Sequence, residues 1–505
     1  MKIKALLITL LLATNFIIGH GQEYRVPSRK EIRDKVKFHP QDNTLQQAAT
    51  RAEGDYIMQE FPTTGEVRGL VLLVAYKDVP FSLPDDSIRT LLQSRYDGKD
   101  YTEQIEHRGF SQVDNDTIAL RATIPGSARD YFKEMSQGKF TPRFDVVGPV
   151  VLDNTRAYYG ANNKSVIDKN ARAMITEACR KAYNQELTDF TRYDSDGDGI
   201  VDFVYIVYAG SDEAQTAIED CVWAHASTVS LTLPNGMRVR RYACSGELFV
   251  DLKGLPAGIG TFVHEFSHIL GLPDFYNTIQ TDDFTMDVWS VMDYGMYNRG
   301  GFVPCAYTAF ERYSLGWLPL HTLQAPTTLS IGTTDKEGRG YRIFASDTDT
   351  TSFYMIETIR QEGWNRYAYT EGLLISEVTY QQSAWQDNTV NTDTRHRHCI
   401  VPANNKYDYN YPTGALYGTR NHEFTLTSTP ASITQFGVAM DKPLTDINYH
   451  VLTGKTSFHF RGGSSIGTPS TLDPQYSTQY DLQGRPISSP TRFYIQNGEK
   501  RYRKR

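Results

Sequence analysis

Two stretches of the chain carry no polar position at all. Gly69 to Tyr76 reads GLVLLVAY and Phe203 to Ala209 reads FVYIVYA. Continuous apolar runs of this length predict strands covered on both faces. Around them the apolar period changes to that of a helix. Ser127–Met135 opens on a serine suited to an N-cap, Ser165–Leu187 keeps the same period for longer, and Gly258–Leu270 stops before Gly271, a residue suited to C′. Strands and helices therefore alternate over 65–320, which predicts one mixed α/β domain. From about 321 the helical period fades. Thr328–Ile331, Arg342–Phe344, Phe353–Ile359, Gly372–Val378 and Ser457–Phe460 read as short strands, so 321–462 is expected to be an all-β, sandwich-like module.

The two ends follow other patterns. Leu6–Ile18 is a short apolar run behind Lys2 and Lys4 and ahead of Gly19-His20-Gly21. That is the layout of a signal peptide over 1–21, cut before Gln22. It is shorter than the ~20 apolar residues of a membrane span, and no later segment reaches that length. The chain is therefore expected to be secreted or held at the cell surface. Residues 22–64 are polar and read as an N-terminal arm or pro-segment. Residues 463–479 are rich in Gly, Ser, Thr and Pro and read as a linker. In 480–505, two short strands around Gly turns precede the basic end Lys500 to Arg505. This tail resembles those of many secreted Bacteroidetes proteins, some of which are type IX sorting signals, and the likeness implies a contact with secretion machinery.

Composition adds little except by exclusion. The 505 residues carry a net charge of −7, or −9 once Lys2 and Lys4 leave with the leader, so no overall field favours nucleic acid. Five cysteines without a C-x-x-C argue against a thiolate metal cage and a disulfide scaffold. One pair, Cys221 with Cys244, could bridge; otherwise all five are buried thiols. The 32 Tyr and 24 Phe suit β-rich, half-exposed surfaces.

The strongest chemical signal is His264-Glu265-Phe266-Ser267-His268. On a helix, positions i and i+4 share a face, so both imidazoles can reach one zinc ion. Glu265, offset from that line, suits a general base that takes a proton from the attacking water and returns it to the leaving amine. Gly271 permits a sharp turn, and Asp274 stands six residues past the second His, where a metzincin-like spacing has its third ligand. Asp287, Asp293 and Glu311 are rivals for that place. Met292, in Trp289-Ser290-Val291-Met292-Asp293-Tyr294-Gly295, could form a turn beneath the metal. Tyr297, Tyr294 and His225 are candidates for stabilising the oxyanion, although His225 also reads as a buried, hydrogen-bonded core residue.

A second signal is Asp194-Ser195-Asp196-Gly197-Asp198-Gly199-Ile200-Val201-Asp202. Alternating carboxylates, a Gly for the turn and the Ile200 carbonyl suit calcium. Position 12 of an EF-hand would be Tyr205, so the loop is EF-like only, with Asp202 a direct ligand. Feeding straight into the second apolar run, it suits a structural ion better than a sensor.

With these residues in hand, the chain resembles the immune inhibitor A family of secreted bacterial zinc metallopeptidases. The likeness runs over about 65–380 and is carried by GLVLLVAYKDVPFS (69–82), GSARDYFKEMSQGKF (126–140), DSDGDGIVDFVYIVYAG (194–210), GIGTFVHEFSHILGLPDFY (258–276), VWSVMDYG (288–295) and AFERYSLGW (309–317). It implies a zincin-like catalytic domain, a catalytic zinc on His264 and His268 with Glu265 as base, structural calcium, a pro-segment, downstream β modules and protein or glycoprotein substrates. Two other readings compete. A silent adhesin or glycan-binding protein on the same scaffold is disfavoured by the intact Glu265. An aminopeptidase or other metal hydrolase is disfavoured by the Gly271 to Asp274 extension.

Overall fold

The computed structural model describes residues 61–462, except 111–116, 164–166, 217, 250–254, 280–282 and 409–411, and beyond these only the backbone of a few short strands. The expected signal peptide and nearly all of the arm over 22–64 and of the linker over 463–479 fall outside the described residues. No helix among the described residues is long and apolar enough to cross a membrane.

The first apolar run forms strand β1 (Arg68–Ala75). Helix α1 (Asp85–Asp97) follows, then α2 (Ala128–Met135), whose capping box pairs Ser127 with Asp130. Next come strand β2 (Arg143–Val151), helix α3 (Ala171–Asn184) and strand β3 (Val204–Tyr208) from the second apolar run. The hairpin β4 (His225–Thr232) and β5 (Arg238–Gly246) precedes helix α4 (Gly260–Ile269). The sheet runs β2-β1-β3-β5, all parallel, and β4 pairs antiparallel along β5.

Period two divides β1 between two cores. Val71 and Leu73 face the aromatic cluster under α4, while Leu70, Leu72 and Val74 face Met174, Ile175 and Cys179 of α3. Both faces are thus covered, as a run without polar positions requires. On the α4 side Phe262 stacks on Tyr96 at 4.2 Å and lies 4.4 Å from Tyr205, and Phe266 sits 4.7 Å from Phe203. These rings fix the azimuth of α4.

After α5 (Ala309–Ser314) the chain is mostly strand. The strands are β6 (Leu320–Thr322), β7 (Thr327–Ile331), β8 (Gly340–Phe344), β9 (Ser352–Ile359), β10 (Gly372–Thr379), β11 (His398–Ile400), β12 (Leu444–His450) and β13 (Lys455–Phe460). They form sheets of order β6-β8-β9-β10-β11 and β7-β13-β12. Single-turn helices at Thr334–Glu337 and Gln382–Gln386 interrupt them, so this stretch is not purely β. Tyr354 and Ile356 of β9 join Phe458 and Phe460 in a core of their own, while Phe353 and Met355 join the core that contains Phe262 and Phe266. The larger core thus runs continuously across residue 320.

All five cysteines are buried free thiols, so Cys221 and Cys244 do not bridge. Residues 463–505 form a separate unit with short strands at Gln479–Tyr480, Pro486–Ile487, Phe493–Gln496 and Glu499–Tyr502, paired in one small sheet.

Candidate metal centre

Helix α4 sets the geometry. Its N-terminus lies so close to the 295–302 loop that a Cβ on Gly260 would meet Met296 O at 2.0 Å, and Gly260 N donates to Gly301 O at 2.7 Å. At the other end Gly271 takes φ +103, where a side chain would be strained. Leu272 N returns to Ser267 O and Gly271 N to His268 O, both at 3.0 Å. The chain therefore doubles back and brings Asp274 against the His264 and His268 face.

Both rings are oriented by backbone. His264 Nδ1 donates to Val291 O and His268 Nδ1 to Leu272 O, each at 2.8 Å. A carbonyl can only accept, so the proton sits on Nδ1 and the Nε2 lone pair is free to ligate. His264 Nε2 lies 3.3 Å and His268 Nε2 3.2 Å from Asp274 Oδ1. His268 Nε2 and Asp274 Oδ1 are buried and make no hydrogen bond despite that approach, and Glu265 Oε2 beside them is likewise without a partner. Buried polar atoms left in this state are costly unless something else binds them. Around a four-coordinate zinc with bonds of about 2.0–2.2 Å, neighbouring ligand atoms stand roughly 3.3–3.5 Å apart, close to the spacing found here. Two imidazoles and a carboxylate are also a donor set that zinc accepts, so the residues fit that ion.

Two of the rivals of Asp274, Glu311 and Asp293, are engaged elsewhere. Glu311 accepts from Ser290 Oγ and from Thr308 N and Oγ1 in the capping box of α5. Asp293 accepts from Thr285 Oγ1, Asp287 N and Tyr294 N, folding its own loop. Asp287 takes a left-handed φ of +51 within that loop.

Glu265 is 3% exposed, and burial together with Asp274 and Asp212 pushes its carboxyl up to about 8 against the pull of His264. Met292 is buried in a turn that touches both sides of the site: Val291 O holds His264, and Met292 O accepts from Phe275 N at 2.8 Å. The hydroxyl of Tyr297 is raised by burial and by charges that include Glu265 and Asp274. Tyr294 packs 5.8 Å from Tyr297. His225 has both nitrogens engaged within its own sheet, by Trp223 O and the Tyr242 hydroxyl, each at 2.8 Å.

Two residues escaped the sequence reading. Tyr276, two positions past Asp274, stacks on His264 at 6.4 Å and bonds to the Asp274 carboxylate; an aromatic next to a candidate ligand was the available signal. Asn388 contacts Asp274 across 114 positions of sequence, a pairing that no local pattern announces.

The second constellation is intact as a loop. Carboxylate oxygens of Asp194, Asp196 and Asp198 lie within 4.8 Å of one another. Asp194 Oδ1 accepts from Gly197 N and Asp198 N, and Oδ2 from Gly199 N, with Gly197 at φ +75 and Gly199 at φ +77. Asp202 Oδ2 accepts from Ser195 N and Oγ, and Ile200 begins a two-residue strand beside Arg238 and Val239.

Comparison with known proteins gives a consistent result. The sequence model of the family described as "Immune inhibitor A peptidase M6, catalytic domain" matches residues 60–319. The pre-pro-metalloprotease PrtV of Vibrio cholerae serotype O1 is 26% identical over 277 residues, covering 49% of this chain and 29% of that protein. Immune inhibitor A of Bacillus thuringiensis subsp. alesti is 28% identical over 244 residues, covering 44% of this chain and 31% of that protein. The chain thus spans about three-tenths of the length of the curated relatives it matches.

Proposed function

Since the chain belongs to the immune inhibitor A (M6) peptidase family, we propose that it is a zinc-dependent endopeptidase of extracellular proteins or glycoproteins. The observation that carries this reading is the convergence of His264 Nε2, His268 Nε2 and Asp274 Oδ1 in a buried pocket beside an unpartnered Glu265 oxygen. Those three residues are the zinc ligands. Zinc held there supplies a polarised scissile carbonyl and a water of lowered pKa.

The protein's own groups do the rest. Glu265, as general base, takes the proton of the attacking water and hands it to the leaving amine. Its dry surroundings favour holding that proton between the two steps. Tyr297 offers a hydroxyl donor to the oxyanion, and Met292 packs the turn that orients His264. The fold reads as zincin-like: α4 lies under a sheet whose antiparallel strand β4 offers an edge to an extended substrate.

The Asp194, Asp196, Asp198, Ile200 and Asp202 loop holds a structural calcium that pins the entry to β3. The layout is a signal peptide over 1–21, a pro-segment over 22–64, the peptidase over 65–320, a sandwich-like β module over 321–462 and a sorting tail over 480–505 that meets the secretion machinery.

The test is cleavage of casein or mucin by the purified chain, with Glu265→Ala and a chelator as controls. Both controls should abolish cleavage while Glu265→Ala keeps its zinc. Equal cleavage by that variant refutes the mechanism.

A further inference from the structure

We infer that Asn388 is a positioning residue for the metal centre: it fixes the carboxylate of Asp274, and so metal affinity depends on a residue beyond the segment that the family shares. This rests on the reading of His264, His268 and Asp274 as zinc ligands.

Asn388 grips Asp274 twice. Its Nδ2 donates to Asp274 Oδ2 at 2.7 Å, and its Oδ1 accepts from Asp274 N at 2.7 Å. The first bond occupies Oδ2 and leaves Oδ1 as the atom facing both imidazoles. The second holds the backbone from which that carboxylate hangs. Asp274 is 1% exposed and Asn388 4%, so water does not compete for either bond. Without the amide, Tyr276 alone is left to hold the carboxylate against turning about its last torsion, and Oδ2 loses its amide donor in a dry site.

The surroundings show that Asn388 is itself held. It takes φ +51, a left-handed conformation that Asn tolerates better than most residues. Upstream, Trp385 packs against Phe275 and Phe310, and Thr389 N closes on Ala384 O at 2.8 Å. Downstream, Asn391 Nδ2 donates to Phe275 O at 2.7 Å, so a second amide braces the same ligand loop without touching a ligand side chain. Groups that orient a metal's ligands typically change affinity 10–100-fold when lost.

The experiment measures zinc affinity of the full chain by competition with a chromophoric chelator, together with zinc content and the melting temperature of the metal-free protein. Asn388→Asp keeps the shape, the left-handed tolerance and the acceptor for Asp274 N, but replaces the donor with a repelling oxygen. Asn388→Gly removes both bonds without backbone strain. Asn391→Ala is the control for a purely structural brace. The expected result is a tenfold or greater loss of zinc affinity in both Asn388 variants, with metal-free melting within a few degrees of the parent. Asn391→Ala should instead lower melting with a much smaller change in affinity. Unchanged affinity in the Asn388 variants overturns the inference, as does a loss that follows metal-free melting equally in all three. If the parent chain itself takes up no zinc, it is the ligand assignment that fails.

Discussion

Ending the chain after residue 319, where the family match stops, should destroy the fold of the matched segment. Three large aromatics of that segment are roofed from beyond 320. Tyr131 packs on Trp364 at 4.9 Å, Phe310 lies 4.9 Å from His398 and 6.0 Å from Phe353, and Phe275 lies 4.5 Å from His398. At about 1.5–3 kcal/mol per buried side chain, uncovering three costs roughly 5–9 kcal/mol. Ala309 N also loses Glu357, Ala306 N loses Asn365 and Phe275 O loses Asn391. At a net ~1 kcal/mol each, these bring the total to about 8–12 kcal/mol. A domain's whole stability is about 5–15 kcal/mol. The assay is urea unfolding followed by near-ultraviolet circular dichroism, comparing the truncated and full chains, both carrying Glu265→Gln to prevent self-cleavage. The full chain should show a cooperative transition and the truncated chain none. A cooperative transition of ordinary steepness in the truncated chain would refute the reasoning.

Other consequences are open to direct measurement. Glu377 of β10 is 2% exposed, accepts from Gln435 N, and is pushed by burial to about 8 from 4.5. A carboxyl whose folded pKa is raised favours the folded state below pH ~4.5 and loses that advantage as pH rises to ~8, so Glu377→Gln should gain stability relative to the parent across that window, by at most about 5 kcal/mol. Melting curves at pH 5 and pH 8 that shift in parallel for the two proteins would contradict this. Gly260→Ala should cost about 1–3 kcal/mol in denaturant melts, because its methyl would strike Met296 O. Calcium added to metal-depleted Glu265→Gln protein should raise its melting temperature, by about 2.7 kcal/mol of stability at a hundredfold excess over Kd; adding Asp196→Asn should blunt the rise.

How legible each feature was depends on how local its cause is. The pair His264 and His268 could be read because helical pitch alone puts them on one face, and Gly271 then announces the turn toward Asp274. Glu311 was weighed as a zinc ligand although Thr308-x-x-Glu311 is also a capping-box spacing, and the structure has it in that role. The β4–β5 hairpin went unread despite a comparable cue: Asn235-Gly236 between two alternating stretches, with Gly236 at φ +89 and Leu233 N closing on Met237 O. Asn388 is of a different kind. Nothing in Asp387-Asn388-Thr389 differs from an ordinary polar turn, and its meaning comes only from a partner 114 residues away.

The core that crosses residue 320 lies between these cases. Phe353 to Ile356 and Leu373 to Ile375 are consecutive apolar positions, and every residue of β9 and β10 is buried. A sheet with one wet face would alternate. The missing alternation therefore signalled a second covering layer, without saying which element supplied it. On one face that layer includes α5, whose Phe310 lies 6.0 Å from Phe353. Phe310 also lies 6.2 Å from Trp385, three positions before Asn388, which grips Asp274. The strands after 320 are thus tied to the candidate metal centre through the core that they share with the matched segment.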